Sequence, residues 1–211
     1  MTGPRPRPRV EFRRLGLRPY APVLRSMRAF TRARRAEDAD QIWLLQHHAV
    51  FTRGASCRVS PVDDVDGTGA RIPLVQTDRG GQMTYHAPGQ LVAYLLLDLR
   101  RREFGVKTLV GEIEQALIDL LAEYGVRAAR RRGAPGVYVG GEKIAALGLR
   151  ISRGCTYHGA SLNVDMDLAP YSRIDPCGEP DLPVTQLRAH AAADIGEVEE
   201  HLARQLRSRF G

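Results

Sequence analysis

The run GVYVGGEKIAALGLRISRGCTYHGASLNVDMDL, residues 136–168, constrains the fold more than any other stretch. Val137-Tyr138-Val139 and Ile144 to Ile151 are strand-forming and flank Gly140-Gly141, a pair suited to the positive backbone angles of a tight hairpin. Residues 155–165 read as a further strand. A sheet therefore stands at the centre of the chain, and it places Lys143 at the first residues of a strand, between rigid neighbours.

Other segments supply the layers around that sheet. Leu109, Val110, Ile113, Leu117, Ile118, Leu121 and Tyr124 recur every three or four positions and predict an amphipathic helix over 107–125. Leu24, Met27 and Phe30 predict another beginning at Tyr20, and Ile195, Val198, Leu202 and Leu206 a C-terminal one. Val10 to Leu17 and Gln41 to Leu45 read as strands, and LVAYLLLDL (91–99) as a buried strand by its unbroken apolar run. With 211 residues and 43% hydrophobic content the chain suits one domain. The expected fold is a single α/β domain over 10–211, a mixed sheet with flanking helices, preceded by an extended tail, MTGPRPRPR, at 1–9.

No run of about 18 apolar residues occurs and the N-terminus lacks the apolar core of a secretory signal, so a cytoplasmic protein is expected. Three cysteines, Cys57, Cys155 and Cys177, without CxxC spacing suggest neither a disulfide framework nor a metal site. A lone cysteine is ordinarily a small buried hydrophobe. Adjacent His47 and His48 point to opposite sides of a strand and have no third ligand at a recognisable spacing, so no metal is expected.

The formal charge of +7 is unevenly spread. Residues 1–35 hold eleven Arg against Glu11 alone, a net +10 that leaves the remainder at −3. A solvated basic face is the plainest account of this arm, although it suits an acidic protein partner too. Neither nucleic acid nor a membrane is expected as a partner. Only Lys107 and Lys143 are lysines, so 29 of the 31 cations are arginines. Arg holds its proton in a protein whereas Lys can give it up, which makes each lysine worth separate attention. Lys107, at the start of a helix, has a solvent role as its simplest reading.

Two stretches concentrate chemistry. RGGQMTYHAPGQ (79–90) places Gly80-Gly81 and Pro88-Gly89 on either side of a short polar and aromatic segment, which aims Tyr85 and His86 at whatever lies nearby. It is not a phosphate loop, since neither GxxxxGK[ST] nor GxGxxG is present. Farther on, Cys177 sits between Pro176 and Gly178 in a proline-bearing loop over 166–180. A thiolate is the reactive form of cysteine, and a neighbouring ammonium lowers its pKa from about 8.5 into the range of about 3.5–7.5. Lys143 and Cys177 therefore suit a nucleophile and a proton carrier, if the fold brings them together. Cys155 with His158 is a rival pair, but three positions apart on one strand they fall on opposite faces.

These motifs together resemble the lipoyl(octanoyl) transferase family. The resemblance is carried by RGGQMTYHAPGQLVAY, by GVYVGGEKIAALGLRISRGCTYHGASLNVDMDL, and by RIDPCG with Val184-Thr185 after it. It runs more weakly back through DQIWLLQHHAVFTRG to LGLRPY, so that it spans roughly residues 10–190. It implies the catalytic fold of biotin and lipoate protein ligases. It also implies an acyltransferase of lipoate biosynthesis and protein lipoylation, which moves octanoyl from acyl carrier protein to a lysine of lipoyl domains. Such acceptors are found in 2-oxoacid dehydrogenases and the glycine cleavage H protein. By the same resemblance Cys177 is the nucleophile that carries the acyl thioester, and Lys143 lowers its pKa and acts as general acid and base. No cofactor and no metal are implied. The acyl pocket would be lined by Arg79, Gly80, Gly81, Gln82, Met83, Thr84, Tyr85 and His86, by Ala146, Leu147 and Gly148, and by Gly159, Ala160 and Ser161. Two departures stand out: HAPGQ where the family usually reads HGPGQ, and HHAVFT where it usually reads HPPVYT. The first puts an ordinary side chain, Ala87, in a turn that elsewhere holds glycine. An ATP-dependent lipoate ligase of the same fold and a non-catalytic acyl-carrier binding module are the alternatives.

Overall fold

In the computed structural model, residues 8–57, 71–174 and 182–211 are described. The tail expected at 1–9 falls mostly outside them, as does the part of the expected 166–180 loop from Asp175 through Cys177 to Gly178.

The chain runs β1 (Val10–Arg18), α1 (Tyr20–Ala33), β2 (Asp40–His47), β3 (Val50–Arg53), β4 (Leu74–Gln76), β5 (Met83–His86) and β6 (Gln90–Leu96). It continues through α2 (Leu99–Arg102), α3 (Val106–Glu123), β7 (Ala129–Arg131), β8 (Ala134–Val139), β9 (Glu142–Ser152) and β10 (Cys155–Asn163) to α4 (Ile195–Phe210). A seven-stranded sheet has the order β1-β2-β6-β10-β9-β8-β7, and a small sheet the order β4-β3-β5. β1 and β2 are parallel, joined by α1 as parallel strands require; the other pairs of the large sheet are antiparallel. The architecture is the mixed α/β domain expected from the sequence. The small sheet was not expected, since β4 has only three residues.

Alternation along the strands gives the large sheet two unlike faces. Ile42, Leu44, Leu91, Ala93, Leu95, Ile144 and Leu162 pack with α3 and α4 in the principal core. The opposite face, with Trp43, Leu45, Val92, Tyr94 and Leu96, packs on Tyr20, Val23, Leu24 and Met27 of α1. A third cluster, including Phe51, Met83, Tyr85 and Tyr171, fills the small sheet.

The N-terminal arginines are partly spent inside the fold. Asp40, fully buried at the start of β2, receives Arg34 (2.7 Å), Arg101 (2.8 Å) and Arg102 (2.5 Å). The Asp98 amide also donates to it (2.9 Å). One carboxylate thus ties the end of α1 to α2. Arg14 pairs with Glu199 and Glu200 of α4, and Arg28 with Asp78.

Candidate active site

A narrow slot of about 700 Å³, its open mouth included, lies on the α1 side of the large sheet, between β6, β10 and β9 and the segment leading into β5. Register explains why there is space. Tyr94, Gly159 and Gly148 form one row across β6, β10 and β9; Val92, Ser161 and Ala146 form the next. Glycine, alanine and serine stand where a sheet face would otherwise carry large side chains, so the strands themselves make a trough. The 79–81 segment closes over it: the Gly80 N–H donates to the Leu149 carbonyl (2.9 Å), and a Cβ on Gly148 would come within 3.0 Å of the Gly80 oxygen. Gly54 backs this segment, since a Cβ there would fall 2.1 Å from the Gly81 oxygen.

Arg79 is buried and anchors the segment. Its guanidinium donates to the Thr52 carbonyl (2.6 Å) and hydroxyl (2.9 Å) and to the Gly80 carbonyl (3.0 Å). Around it, buried rings line or back the slot, and their partners fix their protons. His47 Nδ1 faces the Arg18 carbonyl (3.0 Å) and so carries hydrogen, which leaves Nε2 to accept from the Tyr94 hydroxyl (2.7 Å). Burial pushes His47 down to about 4 and holds His86 well below the ordinary histidine range, so both rings are neutral at pH 7. Burial likewise raises Tyr20 to about 12 and keeps Tyr94 a phenol. His158 Nε2 bonds Asp78 (3.1 Å), and its buried Nδ1 has no hydrogen-bond partner. Burial opposes the charge on Asp78, but hydrogen bonds from His158, Tyr157 and Arg28 outweigh it and hold the carboxyl well below the usual range.

Lys143 lines the slot and is only 3% exposed. A one-residue bulge sets its direction: Val137 pairs with Ala145 but Tyr138 pairs with Lys143, so Ile144 and Ala145 both pack in the core while Lys143 turns to the slot. Its Nζ lies 5.1 Å from the centre of the Tyr138 ring and 3.4 Å from the Pro135 carbonyl. Gly136, at φ +143°, makes room, because a Cβ there would sit 3.1 Å from the lysine Cε and 2.8 Å from the Ala145 carbonyl. The Lys143 backbone holds the chain that follows residue 181: its N–H donates to the Pro183 carbonyl (2.8 Å), and the Thr185 N–H donates to its carbonyl (3.0 Å).

Of the residues expected to line an acyl pocket, Arg79, Gly81, Gln82, Met83, Thr84, His86, Ala146, Leu147, Gly148, Gly159, Ala160 and Ser161 border the slot. Gly80 contributes its backbone bond instead. Tyr85 packs in the small sheet against Phe51 and Tyr171, because neighbours on a strand face opposite ways and His86 takes the slot side. Cys177 lies outside the described residues. Cys155 is buried by the bridge to Asp98, its thiol pushed up by burial, which suits a core residue rather than a nucleophile. Lys107 is exposed, and His48 points outward while His47 points in. Among the described residues no group of three metal-ligating side chains forms, and no helix is long and apolar enough to cross a membrane. Ala87 has no positive φ; it is Gly89 (φ +86°) that the turn requires, since a Cβ there would fall 1.8 Å from the Asp165 oxygen.

The sequence reading missed Tyr20, Val92, Tyr94, Ala145, His158, Asn163, Tyr171 and Val184, which also border the slot. They come from α1, β6, β9, β10 and the loops around 171 and 184, and only the strand register could have found Val92 and Tyr94.

Comparison with known proteins decides the family. Residues 19–207 match the lipoyl protein ligase A/B catalytic domain. The chain belongs to this family. Its relatives include proteins named octanoyltransferase from Pseudomonas putida (strain W619), 58% identical over 92% of this chain and 89% of the relative, and from Ectopseudomonas mendocina (strain ymp), 52% identical over 97% and 98%. The family's fold recurs in a bipartite lipoate protein ligase from Thermoplasma acidophilum (TM-score 0.72, 18% identity, 96% of this chain and 83% of that one). A lipoate-protein ligase A bound with ATP superposes with TM-score 0.72 at 17% identity, over 96% and 85%. A biotin protein ligase from Aquifex aeolicus is more distant, with TM-score 0.54 at 12% identity over 94% and 68%.

Proposed function

We infer that the protein is an octanoyltransferase of lipoate biosynthesis, an acyltransferase that delivers an octanoyl group to lipoyl domains. The observation that carries this reading is the slot that runs along β9 from Lys143 to Gly148 over a floor of small residues. Five residues of strand span about 16 Å, which lets an extended eight-carbon chain lie along it with its carbonyl near the lysine. Seven saturated carbons buried there contribute at most about 5–6 kcal/mol, at about 0.8 kcal/mol each. The identities of 52–58% to proteins named octanoyltransferase support the same assignment.

In this reading the donor is octanoyl acyl carrier protein, and the acceptors are lipoyl domains of 2-oxoacid dehydrogenases and the glycine cleavage H protein. The Cys177 thiolate attacks the thioester carbonyl, an acyl–sulfur bond to Cys177 forms, and the bond to the carrier thiol breaks. Lys143 gives its proton to the departing sulfur and becomes a neutral amine. The ε-amine of the acceptor lysine then attacks the Cys177 thioester, Lys143 takes the proton lost by that amine, and the Cys177 thiolate leaves. A thioester is already activated, so the two displacements need no nucleotide. His86, which borders the slot, and His47, whose ring lies 5.7 Å from the His86 ring, are neutral, so neither competes with Lys143 for its proton.

The test is transfer in a defined mixture. Purified protein, octanoyl carrier protein and a lipoyl domain, with ATP omitted, are expected to yield octanoylated domain by intact mass. Transfer only from free acid with ATP would instead indicate a ligase, and binding of the carrier without transfer a non-catalytic module.

A further inference from the structure

Gln90 and Asn163 face each other at one register position of β6 and β10, and both are buried. Gln90 Nε2 lies 2.9 Å from Asn163 Oδ1, 3.0 Å from the Tyr171 hydroxyl and 3.2 Å from the Tyr85 carbonyl. That orientation leaves its Oε1 to accept from His86 Nδ1 (2.7 Å). The Tyr171 hydroxyl spends its hydrogen on the Tyr85 carbonyl (3.0 Å), so it accepts from Gln90. Asn163 Nδ2 donates to the Thr185 carbonyl (2.9 Å), and the Thr185 N–H donates to the Lys143 carbonyl. Thr185 Oγ1 is held in turn by His190 Nε2 (2.9 Å).

We propose that the Gln90–Asn163 pair is the positioning device of the acyl-transfer centre, fastening Tyr171 and Thr185, on either side of residues 175–181, to one point beside Lys143. The proposal rests on the acyl-transfer reading above. A sheet face needs no polar pair to hold β6 against β10, because the ladder already does so, and an aliphatic pair would pack there at no desolvation cost. The side-chain bonds go instead to groups off the large sheet: to β5 through His86 and Tyr85, to the 3-10 turn at 169–173 through Tyr171, and through Thr185 to the segment whose Val184 bridges Lys143. Asn163 also borders the slot. Neither side chain exchanges a proton in this role. They set where Lys143 stands relative to Tyr171 and Thr185.

Misplacement of reacting groups by about 1 Å costs about 10²-fold in rate. Asn163→Asp keeps the oxygen that Gln90 uses and replaces the donor to Thr185 with an oxygen, at constant shape. Gln90→Met removes the hub while filling its volume. Both variants are expected to lose about 10²-fold in kcat with KM for octanoyl carrier protein changed by less than about threefold. The pH of half-maximal Cys177 alkylation by iodoacetamide is expected to rise toward the free-thiol value of about 8.5, because the ammonium no longer sits in place. Variants with the kcat and the alkylation profile of the parent would overturn the proposal. So would a fall in thermal stability that accounts for lost activity while the alkylation profile stays put. If Gln90→Met does not fold, the isosteric Asn163→Asp carries the test. Failure of the parent protein to transfer octanoyl would overturn the functional reading instead, and the Cys177 alkylation profile would still decide the positioning role.

Discussion

The two faces of the large sheet are written by alternate residues of the same strands, and they differ in what is left out. Leu162 on β10 packs into the core beneath α3 and α4, while its neighbour Ser161 faces the slot. On the core face, stability comes from filled volume. On the slot face, Gly148, Ala146 and Ser161 withhold volume, and buried His, Tyr, Gln and Asn side chains supply fixed hydrogen bonds around the space. The slot is thus made by subtraction on one face, and the other face bears the cost in stability.

The comparison predicts that substitutions on the two faces separate activity from stability. The largest effect is expected from Lys143→Arg, which keeps a cation beside the slot but cannot donate and recover a proton at neutral pH. Octanoyl transfer should fall by about 10²–10⁴-fold, the usual contribution of general acid–base catalysis, with an almost unchanged melting curve. Turnover close to the parent's would remove Lys143 from the chemistry. On the core face, Leu162→Ala should cost about 2–5 kcal/mol in chemical denaturation. Ser161→Ala, one residue away, should cost less than about 1.5 kcal/mol. Equal costs would mean that the faces are not distinct.

A pH effect of similar size should come from the buried His47 and His86. His47 has a folded pKa of about 4 against 6.5 for the free side chain, so between these values the unfolded chain binds more protons than the folded one. Stability is therefore fully present above about pH 6.5 and declines as pH falls toward 4, by about 3 kcal/mol for this group. Burial of His86 acts in the same direction. Denaturation of the parent and of His47→Gln across pH 4–7 checks this, and equal slopes would exclude His47 as the source. The smallest effect is a selective one. Gly148→Ala puts a methyl 3.0 Å from the Gly80 oxygen and 3.2 Å from Arg79 Cδ, so the 79–81 segment must give way. We expect a drop of about tenfold in octanoyl transfer, the loss that about 1.4 kcal/mol of acyl binding represents, and a smaller drop for a butanoyl donor. A uniform loss for both chains would place Gly148 outside the acyl path.

How much of this was legible in sequence follows from what each feature depends on. The β8–β9 hairpin, α3 and α4 were readable because a Gly-Gly turn and a sustained apolar period are local signals. The edge strands β4 and β7 were not, since three mostly exposed residues carry no alternation to count. Within the site, Lys143 stood out by rarity and its place after Gly140-Gly141. Tyr20, Tyr94 and His158 did not, because they meet only through the packing of α1 on the sheet. Tyr85 and His86 part company in the fold: His86 borders the slot, whereas Tyr85 packs against Phe51 and Tyr171. The Gln90–Asn163 pair was hidden for a further reason: the two residues are neighbours across a ladder, 73 positions apart in the chain.

The slot beside Lys143 is expected to load an octanoyl group onto Cys177. Brief mixing of the protein with octanoyl carrier protein in the absence of an acceptor, followed by intact mass and peptide mapping, measures this directly. One octanoyl adduct is expected, on the peptide containing Cys177, and it should disappear when a lipoyl domain is added. An adduct on Cys57 or Cys155, or no adduct while transfer to the lipoyl domain proceeds, would contradict it.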